Sequence, residues 1–343
     1  MNIIYFGFNS FRVHKRGVEN VIDFQSQAGE FKKIVYIHWA NETKAYKNQN
    51  KLCIAIENCW YWPFILNAVL FRLKKKHEFK IHSHSPLFSI FSIYNSDIFT
   101  VHDALYYSQK NIKSKFLFIF KFLENVLYTR CKMVHFISKY AKKESLFNKN
   151  KNYCIIYNTS HFEKKATKKI ISLENIISNN ILIVRSIEER ARIDLVIDVA
   201  QKMTEYNFTI AGKGPLLEYY QSVVKIRNIK NVQLLGYVSD NNLLDLYQNC
   251  LFVLLTAEYA EGFGLPIIEG YLFNKPVLAS NKCAIPEIII ANRYLFENNV
   301  KSIIHAIKSI EPCNENKFSN YYFNKFSNLA VSKEYFNLYK NIF

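Results

Sequence analysis

Short apolar runs alternate with longer amphipathic segments along most of the chain. The runs have the length of buried strands, and the segments between them, such as "SKFLFIFKFLENVLYTR" and "DLVIDVAQKM", repeat at helical spacing. Alternation of this kind is typical of parallel sheets whose strands are joined by helical crossovers. The runs that we interpret as strands are "NIIYFGF", "KKIVYIHW", "KLCIAIEN", "FKIHSH", "SDIFTVHD", "KMVHFIS" and "NYCIIYN" in the first half, and "NILIVRS", "NFTIAGKG", "NVQLLGYV", "LFVLLTA" and "KPVLASN" in the second.

One polar, lysine-rich stretch at residues 160–180 interrupts the alternation, and we interpret it as the linker between two α/β domains. The sequence therefore predicts an N-terminal Rossmann-like domain over 1–165 and a C-terminal one over 166–320. Residues 321–343 are aromatic at helical spacing, which indicates terminal helices. Because ligands of open α/β sheets bind beyond the carboxyl ends of the strands, the functional motifs should lie there, on the walls of a cleft between the domains.

Length and composition are those of a folded protein with two cores. The chain has 343 residues, half of them hydrophobic, and seven cysteines, an odd number. With no Cys-x-x-Cys pair among them, reduced packing residues are favoured over a disulfide framework or a zinc site. The N-terminus reads as a strand and not as a signal peptide, and the apolar run at 61–71 is too short to span a bilayer. We expect a cytoplasmic protein.

The net charge of +17 is concentrated in the first half of the chain. Residues 1–165 hold 26 Lys and Arg against 11 Asp and Glu, whereas the remaining residues are nearly balanced. A basic domain of this kind fits nucleic acid, anionic lipid or an anionic substrate, and a solvated lysine-rich surface is the simpler alternative.

The stretch "AEYAEGFGLPIIEG" at 257–270 places two glutamates around a glycine-rich turn. Pro266 indicates the start of a helix, while Gly262 and Gly264 let the backbone approach a ligand. The free amides at such a helix start suit a phosphate or sugar oxygen. Glu261 and Glu269 can accept hydrogen bonds from two sets of hydroxyls, although acids in a first helical turn also stabilise the helix by themselves.

The segment from Glu261 to Glu269, followed by "NKPVLASN" and "IPEI", resembles the E-x7-E signature of glycosyltransferase family 4. The likeness continues in family order through "RGVENV", "FTVHDALY", "HFISKYAKKESL", "AGKGPLLEYY" and "NVQLLGYVSDNNLLDLY". Members of the family are retaining, nucleotide-sugar-dependent enzymes of the GT-B fold. The resemblance therefore implies an α/β GT-B protein with two Rossmann-like domains that face each other across a cleft, followed by C-terminal helices.

The resemblance also implies roles for residues of the second domain. Glu269 would bind the ribose hydroxyls, Glu261 the transferred sugar, and Arg185 the diphosphate leaving group. Other donor-binding positions would be the amides of Gly262, Phe263, Gly264 and Leu265, the nucleobase loop at Tyr237 and Val238, and Gly212 in "AGKGP", for which a simple turn is an equally good reading.

In the first domain, His102 matches a family position near the sugar, although a histidine at a strand end is often structural. Arg16 and Gly17 match the glycine loop on the acceptor side.

Neither a metal nor a resident cofactor is expected. His82 and His84 of "HSH" share one face of a strand, but no cysteine or carboxylate cluster accompanies them. The chain has no Asp-x-Asp pair, which disfavours the metal-dependent kind of sugar transferase.

One position departs from the family pattern. The family usually has a lysine six residues after the arginine matched by Arg185, and Ala191 stands there in this chain. Arg190 and Arg192 flank it, and we expect one of them, Arg190 in preference, to supply the missing charge.

Together these observations predict a retaining glycosyltransferase that moves a sugar from a nucleoside-diphosphate sugar to a glycan or lipid-linked acceptor in cell-envelope polysaccharide synthesis. Its partners would be the donor, the acceptor and the anionic inner face of the cytoplasmic membrane, with no nucleic acid. Two alternatives stay open. One is a sugar-nucleotide epimerase or phosphorylase on the same scaffold, and the other is a catalytically silent basic binding protein.

Overall fold

The computed structural model describes residues 1–10, 17–103, 105–111, 114–148, 151–166, 179–310 and 316–342. The chain forms two compact units. The first comprises Met1–Asn158 together with Val331–Phe343, and the second comprises Thr159–Ala330. The sequence places the boundary at 165/166, and the structure places it at 158/159.

The first unit is built on an eight-stranded sheet with the order β3-β4-β2-β1-β5-β6-β7-β8. All neighbouring pairs are parallel except β3 and β4, which form an antiparallel hairpin that the apolar pattern did not predict. The strands are β1 (Asn2–Phe6), β2 (Lys33–Ala40), β3 (Lys44–Asn48), β4 (Lys51–Glu57), β5 (Lys80–Ser83), β6 (Ser96–Val101), β7 (Cys131–Phe136) and β8 (Tyr153–Ile155).

Both faces of this sheet are buried, which is why its strands read as continuous apolar runs. On β1, Ile3 and Tyr5 pack into one core, and Ile4 and Phe6 pack into another on the opposite face. The helices of the unit are α1 (Gly17–Ala28), α2 (Trp62–Lys76), α3 (Pro86–Phe91), α4 (Leu105–Asn111), α5 (Leu117–Thr129) and α6 (Lys139–Glu144).

Serine side chains fix the starts of two of these helices. Ser85 caps α3 and accepts a hydrogen bond from the amide of Phe88, and Pro86 follows in the first turn. Ser138 caps α6 through the amide of Ala141. Both caps directly follow strands, so each helix begins at the carboxyl edge of the sheet.

The second unit has a six-stranded, fully parallel sheet with the order β11-β10-β9-β12-β13-β14. Its strands are β9 (Asn180–Val184), β10 (Asn207–Ala211), β11 (Val232–Gly236), β12 (Phe252–Leu255), β13 (Val277–Ser280) and β14 (Leu295–Phe296). Strand order reverses at β9, since β10 lies on one side of it and β12 on the other. This is where a doubly wound sheet opens a crevice for ligands.

Helices connect the strands of the second unit. They are α7 (Glu163–Ala166), α8 (Ile193–Lys202), α9 (Leu217–Ile226), α10 (Asp240–Asn249), α11 (Leu265–Leu272), α12 (Ile285–Ile288), α13 (Val300–Lys308) and α14 (Lys317–Lys325). Short 3-10 turns cover Glu189–Ala191 and Asn292–Tyr294.

The terminal helices divide between the two units. The last helix, α15 (Asn328–Ile342), buries Val331, Tyr335, Leu338 and Tyr339 in the core of the first unit. In contrast, α14 packs Phe318 against Tyr271 of α11 in the second unit. The aromatic spacing predicted both helices, but it carried no information on which core each would join.

Candidate active site

Arg185 lies at the switch point of the second sheet, directly after β9. Its amide donates to the carbonyl of Ala211 at 3.0 Å, and its side chain is buried. One guanidinium nitrogen, Nη1, forms an ion pair with Oε2 of Glu261. Its Nε is buried and has no partner among the described residues. The arginine therefore keeps donor capacity for a further ligand.

The second wall of the crevice is the loop between β12 and α11, which carries Glu261. Ala257 donates its amide to Ser280 Oγ at 3.0 Å, and Thr256 donates its hydroxyl to the carbonyl of Ala191 at 2.6 Å. Gly264 then caps α11 in the left-handed conformation, at φ 88°. A Cβ there would lie 2.9 Å from Ile267, so the position favours glycine on two counts.

The predicted amide positions end on helix α11. The helix begins at Leu265 with Pro266 in its first turn, as the sequence indicates. Phe263 turns its ring into the core, where it meets Phe326 edge-on at 6.1 Å. Gly262 precedes it in the loop. Because the Phe263 ring is buried, the backbone of residues 262–265 is the part of this predicted set that is open to a ligand.

Glu269 lies inside the second unit and not on an open wall. Its Oε2 accepts a hydrogen bond of 2.6 Å from the hydroxyl of Tyr247 on α10. Burial raises the pKa of the Glu269 carboxyl, while nearby His161 and the Tyr247 hydrogen bond act in the opposite direction. No motif singled out Tyr247, which lies in an ordinary amphipathic helix pattern.

The 3-10 turn that contains Ala191 is fixed to the Glu261 loop. Ala191 itself is fully buried. Arg190 donates from Nη1 to the carbonyl of Ala260 at 2.6 Å, and its own carbonyl accepts the amide of Glu258 at 2.9 Å. Arg190 thus contacts the residue that precedes Glu261.

Arg192 is engaged differently. Its guanidinium donates to both carboxylate oxygens of Asp194 and to Oε2 of Glu258 at 2.8 Å. Although burial acts to raise it, the hydrogen bonds from Asn298 and Arg192 lower the pKa of Glu258. Arg192 is therefore part of an ion-pair network with Asp194 and Glu258 within the second unit.

Gly212 is required by a close backbone approach. A Cβ on this residue would lie 1.6 Å from the carbonyl oxygen of Arg185, and its φ is +151°. Gly214 is similar, since its Cβ would lie 2.1 Å from the carbonyl of Ile187. The turn between them places Lys213 beside the segment after Arg185, where its carbonyl accepts the amide of Ile187 at 2.9 Å.

Tyr237 and Val238 follow β11 at the same edge of the sheet. The ring of Tyr237 is exposed, and Lys213 Nζ lies 5.0 Å from its centre. Lys213 is a cation that the sequence argument passed over, although "AGKGP" had already been singled out for its glycines.

In the first unit, His102 follows β6 and is joined to a chain of buried hydrogen bonds. Its Nε2 lies 2.8 Å from Nδ1 of His84, and His84 Nε2 lies 2.9 Å from Oε1 of Gln25. The amide oxygen can only accept, so His84 carries its proton on Nε2 and its Nδ1 accepts from His102. The neutral His102 is thereby protonated on Nε2 and offers Nδ1 as an acceptor.

This chain of hydrogen bonds extends through the core of the first unit. The hydrogen-bonded pairs are Gln25–Tyr335, Tyr335–His135, His135–Thr100, Thr100–His82, His82–Tyr339 and Tyr339–Tyr5, with distances between 2.7 and 3.3 Å. Burial lowers the pKa of His82, His84, His135 and His102, the last to about 3. All four imidazoles are therefore neutral near pH 7.

The remaining predicted positions are less informative. Gly17 begins α1 and is exposed. Arg16 lies outside the described residues. Within the described part of the chain, no group of three or more His, Cys, Asp or Glu side chains has an arrangement that could hold a metal ion.

In the portions of the chain that the structure describes, no helix combines the length and the apolar character needed to cross a bilayer.

Most of the second unit is similar to a family of known proteins. Residues 164–323 match the family described as Glycosyl transferases group 1. The O-antigen chain mannosyltransferase RfbU of Salmonella typhimurium is 30% identical over 237 residues, which are 65% of this chain and 63% of that protein. The chain spans between 23% and 63% of the curated relatives it matches.

Solved structures resemble the whole chain. Sucrose-phosphate synthase from Thermosynechococcus elongatus superposes with a TM-score of 0.79 over 99% of this chain and 98% of that one, at 13% identity. Anabaena Alr3699/HepE, solved in complex with UDP-glucose, gives 0.73 over 99% and 100%, at 14% identity. The protein therefore has the GT-B fold. Over residues 164–323, it is similar to the group 1 glycosyltransferases.

Proposed function

We propose that the protein is a retaining glycosyltransferase of family 4, which transfers a sugar from a nucleoside-diphosphate sugar to a glycan or lipid-linked acceptor. The observation that carries the proposal is the Arg185–Glu261 pair at the switch point of the second sheet. A cation and a carboxylate at this edge match the needs of a diphosphate leaving group and a sugar hydroxyl. Envelope polysaccharide synthesis is supported by RfbU, whose name gives it a role in O-antigen assembly.

On this proposal Arg185 holds the diphosphate and Glu261 moves from the arginine to a hydroxyl of the sugar. The loop amides at 262–265 complete the oxygen contacts, and Gly212 lets the chain pass close to Arg185. Buried Glu269 contacts the ribose through the oxygen that Tyr247 leaves available. The exposed ring of Tyr237 and the adjacent Val238 contact the base.

Arg190 supplies the positive charge of the lysine that the family usually has at the position of Ala191. Support comes from the contact of its Nη1 with the Ala260 carbonyl, which holds it next to Glu261, while its Nε pairs with Glu188 at 3.1 Å. Arg192 is committed to Asp194 and Glu258. A planar guanidinium can donate to a carbonyl and to a phosphate at the same time, because it carries five N–H groups.

The acceptor is assigned to the first unit, with Arg16 and Gly17 in the glycine loop and His102 near the sugar. Since His102 Nε2 donates to His84, the remaining nitrogen accepts a hydrogen bond from a hydroxyl. Neither a metal nor a resident cofactor takes part in this proposal. The basic character of residues 1–165 further supports contact with an anionic membrane surface.

A binding screen followed by a transfer assay tests the proposal. Nucleoside diphosphates and their sugars should raise the unfolding temperature of the wild type, because they bind only the folded state. Glu261→Ala should abolish transfer to an acceptor without unfolding the chain. The proposal is contradicted if no nucleotide sugar raises the unfolding temperature. It is also contradicted if the protein converts the donor equally with and without an acceptor.

A further inference from the structure

Helix α2 carries exposed aromatic residues on its outer side, in addition to Leu66 and Leu70, which it buries in the core. Phe64 is 73% exposed, and Phe71 on the same side of the helix is also exposed. Trp60 in the preceding turn is 86% exposed. In a helix that only covers a core, this stripe would be polar. Four exposed ring systems in one short stretch, counting Tyr61, need a function.

Helix α5 also carries exposed aromatic residues. Phe118 is 70% exposed and Phe122 is nearly as open, with Ile119 beside them. The acid of this helix, Glu124, is buried instead, where its carboxylate accepts from the amides of Tyr106 and Leu146 and from the Tyr128 hydroxyl. The helix thus buries its one acid, Glu124, while Phe118 and Phe122 face outward.

Helix α3 connects the two into one surface. It packs against both α2 and α5, and the Asn67 side chain of α2 donates to the carbonyl of Phe91 at 3.0 Å. We call this surface the aromatic face. Its exposed members are Trp60, Tyr61, Phe64, Phe71, Leu87, Phe91, Ile93, Phe116, Phe118, Ile119 and Phe122.

The segments that form the aromatic face carry only positive charges, and the nearby acids Glu57 and Glu78 lie at its ends. Segments 58–76, 85–95 and 114–123 contain no Asp or Glu. The cations that these segments supply are Arg72, Lys74, Lys75, Lys76, Lys115 and Lys121. Beyond the C-terminal end of α2, a cavity of about 410 Å³ is lined by further lysines, Lys32, Lys33 and Lys47. Nothing on the face itself repels an anion.

We propose that the aromatic face inserts into the interfacial region of an anionic lipid bilayer, with α2 and α5 lying in the membrane plane. Aromatic rings prefer the headgroup level, and basic side chains next to them attract anionic headgroups. The helices, with 15 and 13 residues, are too short to span. The lysines beside the rings favour a bilayer over a protein partner, because protein interfaces are depleted of lysine.

The proposal is independent of the donor site and refines the electrostatic contact suggested by charge alone. Attraction between exposed charges is screened by salt, whereas burial of rings is not. Binding should therefore have a salt-resistant part that depends on the phenylalanines.

Flotation of the full chain with lipid vesicles tests this. Vesicles of phosphatidylcholine with phosphatidylglycerol should retain the wild type at low and at high sodium chloride. Phe118→Ser with Phe122→Ser, or Phe64→Ser with Phe71→Ser, should lower the partition coefficient by roughly tenfold or more, since each ring leaves the bilayer. The matched control is Tyr219→Ser with Ile226→Ser, two exposed apolar residues of α9 in the other unit, which should bind like the wild type.

A second readout uses Trp60. Phosphatidylcholine brominated in its acyl chains should quench its fluorescence. Trp60→Phe should remove most of the quenching, because Trp39 and Trp62 pack edge-on against each other and against the core of the unit. Unchanged thermal unfolding confirms that the variants fold. The proposal is overturned if the wild type does not float, if both phenylalanine variants float normally, or if these variants instead dissociate a dimer of the wild type.

Discussion

Arg185 and Glu261 lie 76 residues apart in sequence and form an ion pair at the switch point of the second sheet. Each was predicted to contact a different part of a nucleotide sugar. In the structure they neutralise each other. On the proposed function, the donor competes with this pair and gives both groups new partners.

Replacing Glu261 by glutamine should separate binding from transfer. The guanidinium of Arg185 loses its ionic partner, so a nucleoside diphosphate should bind at least as tightly as to the wild type. Transfer should fall by about 100-fold to 1000-fold, as for loss of a group that stabilises the transition state. Arg185→Ala should weaken both.

Calorimetric titration with the diphosphate and a turnover assay measure the two effects. Arg227→Ala, which removes a surface arginine paired with Asp198, is the control and should change neither. Equal loss of diphosphate affinity in Glu261→Gln and Arg185→Ala would show that the pair is purely structural.

Tyr247→Phe should destabilise the second unit and also impair the donor site. The change leaves a buried Glu269 oxygen without its donor, which costs about 1–3 kcal/mol and raises the pKa of Glu269 further. Tyr271→Phe is the matched control, since that hydroxyl accepts the buried amide of Ile290 at 3.0 Å. Urea unfolding should show a cost for both variants. An increased Michaelis constant for the donor is expected only for Tyr247→Phe, and equal constants would remove Glu269 from the donor site.

Arg190→Ala should lower the turnover number more than it raises the donor's Michaelis constant, because the contact with the leaving group strengthens as charge develops. Arg192→Ala should act mainly on stability, since its guanidinium pairs with Asp194 and Glu258. Steady-state kinetics and thermal unfolding of both variants distinguish these effects. Normal turnover in Arg190→Ala would mean that Ala191 has no substitute at this position.

The buried histidines should make the first unit sensitive to mild acid. Their pKa values in the folded state are lowered by burial, to about 4 for His135 and about 3 for His102. Below about pH 6.5 the unfolded chain therefore binds protons that the folded unit excludes, and stability is lost as the pH falls. The loss is at most about 1.4 kcal/mol per pH unit for each histidine.

Urea unfolding at a series of pH values measures this slope. His84→Gln keeps a donor toward Gln25 but removes one titrating ring, so its slope should be smaller by about one proton. Exposed His305→Gln should retain the wild-type slope. A wild-type stability that is flat between pH 7 and pH 5 would contradict neutral burial of the histidines.

Transfer should persist in EDTA, because Arg185 and Arg190 are assigned to the diphosphate and the chain has no Asp-x-Asp pair. The assay compares rates with chelator alone and with added magnesium or manganese. Loss of activity that either ion restores would require a metal in the mechanism.

The sequence by itself determined the local elements. Continuous apolar runs identified the parallel strands, because both faces of each sheet are buried, and Gly264 with Pro266 marked the start of α11. The family signature also singled out Arg185, Glu261 and Glu269 as a set. Each of these signals is encoded within a few neighbouring residues.

Only the tertiary structure decided which of these residues meet. Pairing of Arg185 with Glu261, the Tyr247 hydroxyl on Glu269, and the Arg190 contact with Ala260 all depend on strand order, which no local pattern encodes. The same holds for the histidine chain, which draws on several strands and on α15. Which phenylalanines of α2 and α5 stay exposed was equally hidden, since both helices have apolar residues on their buried and on their exposed sides.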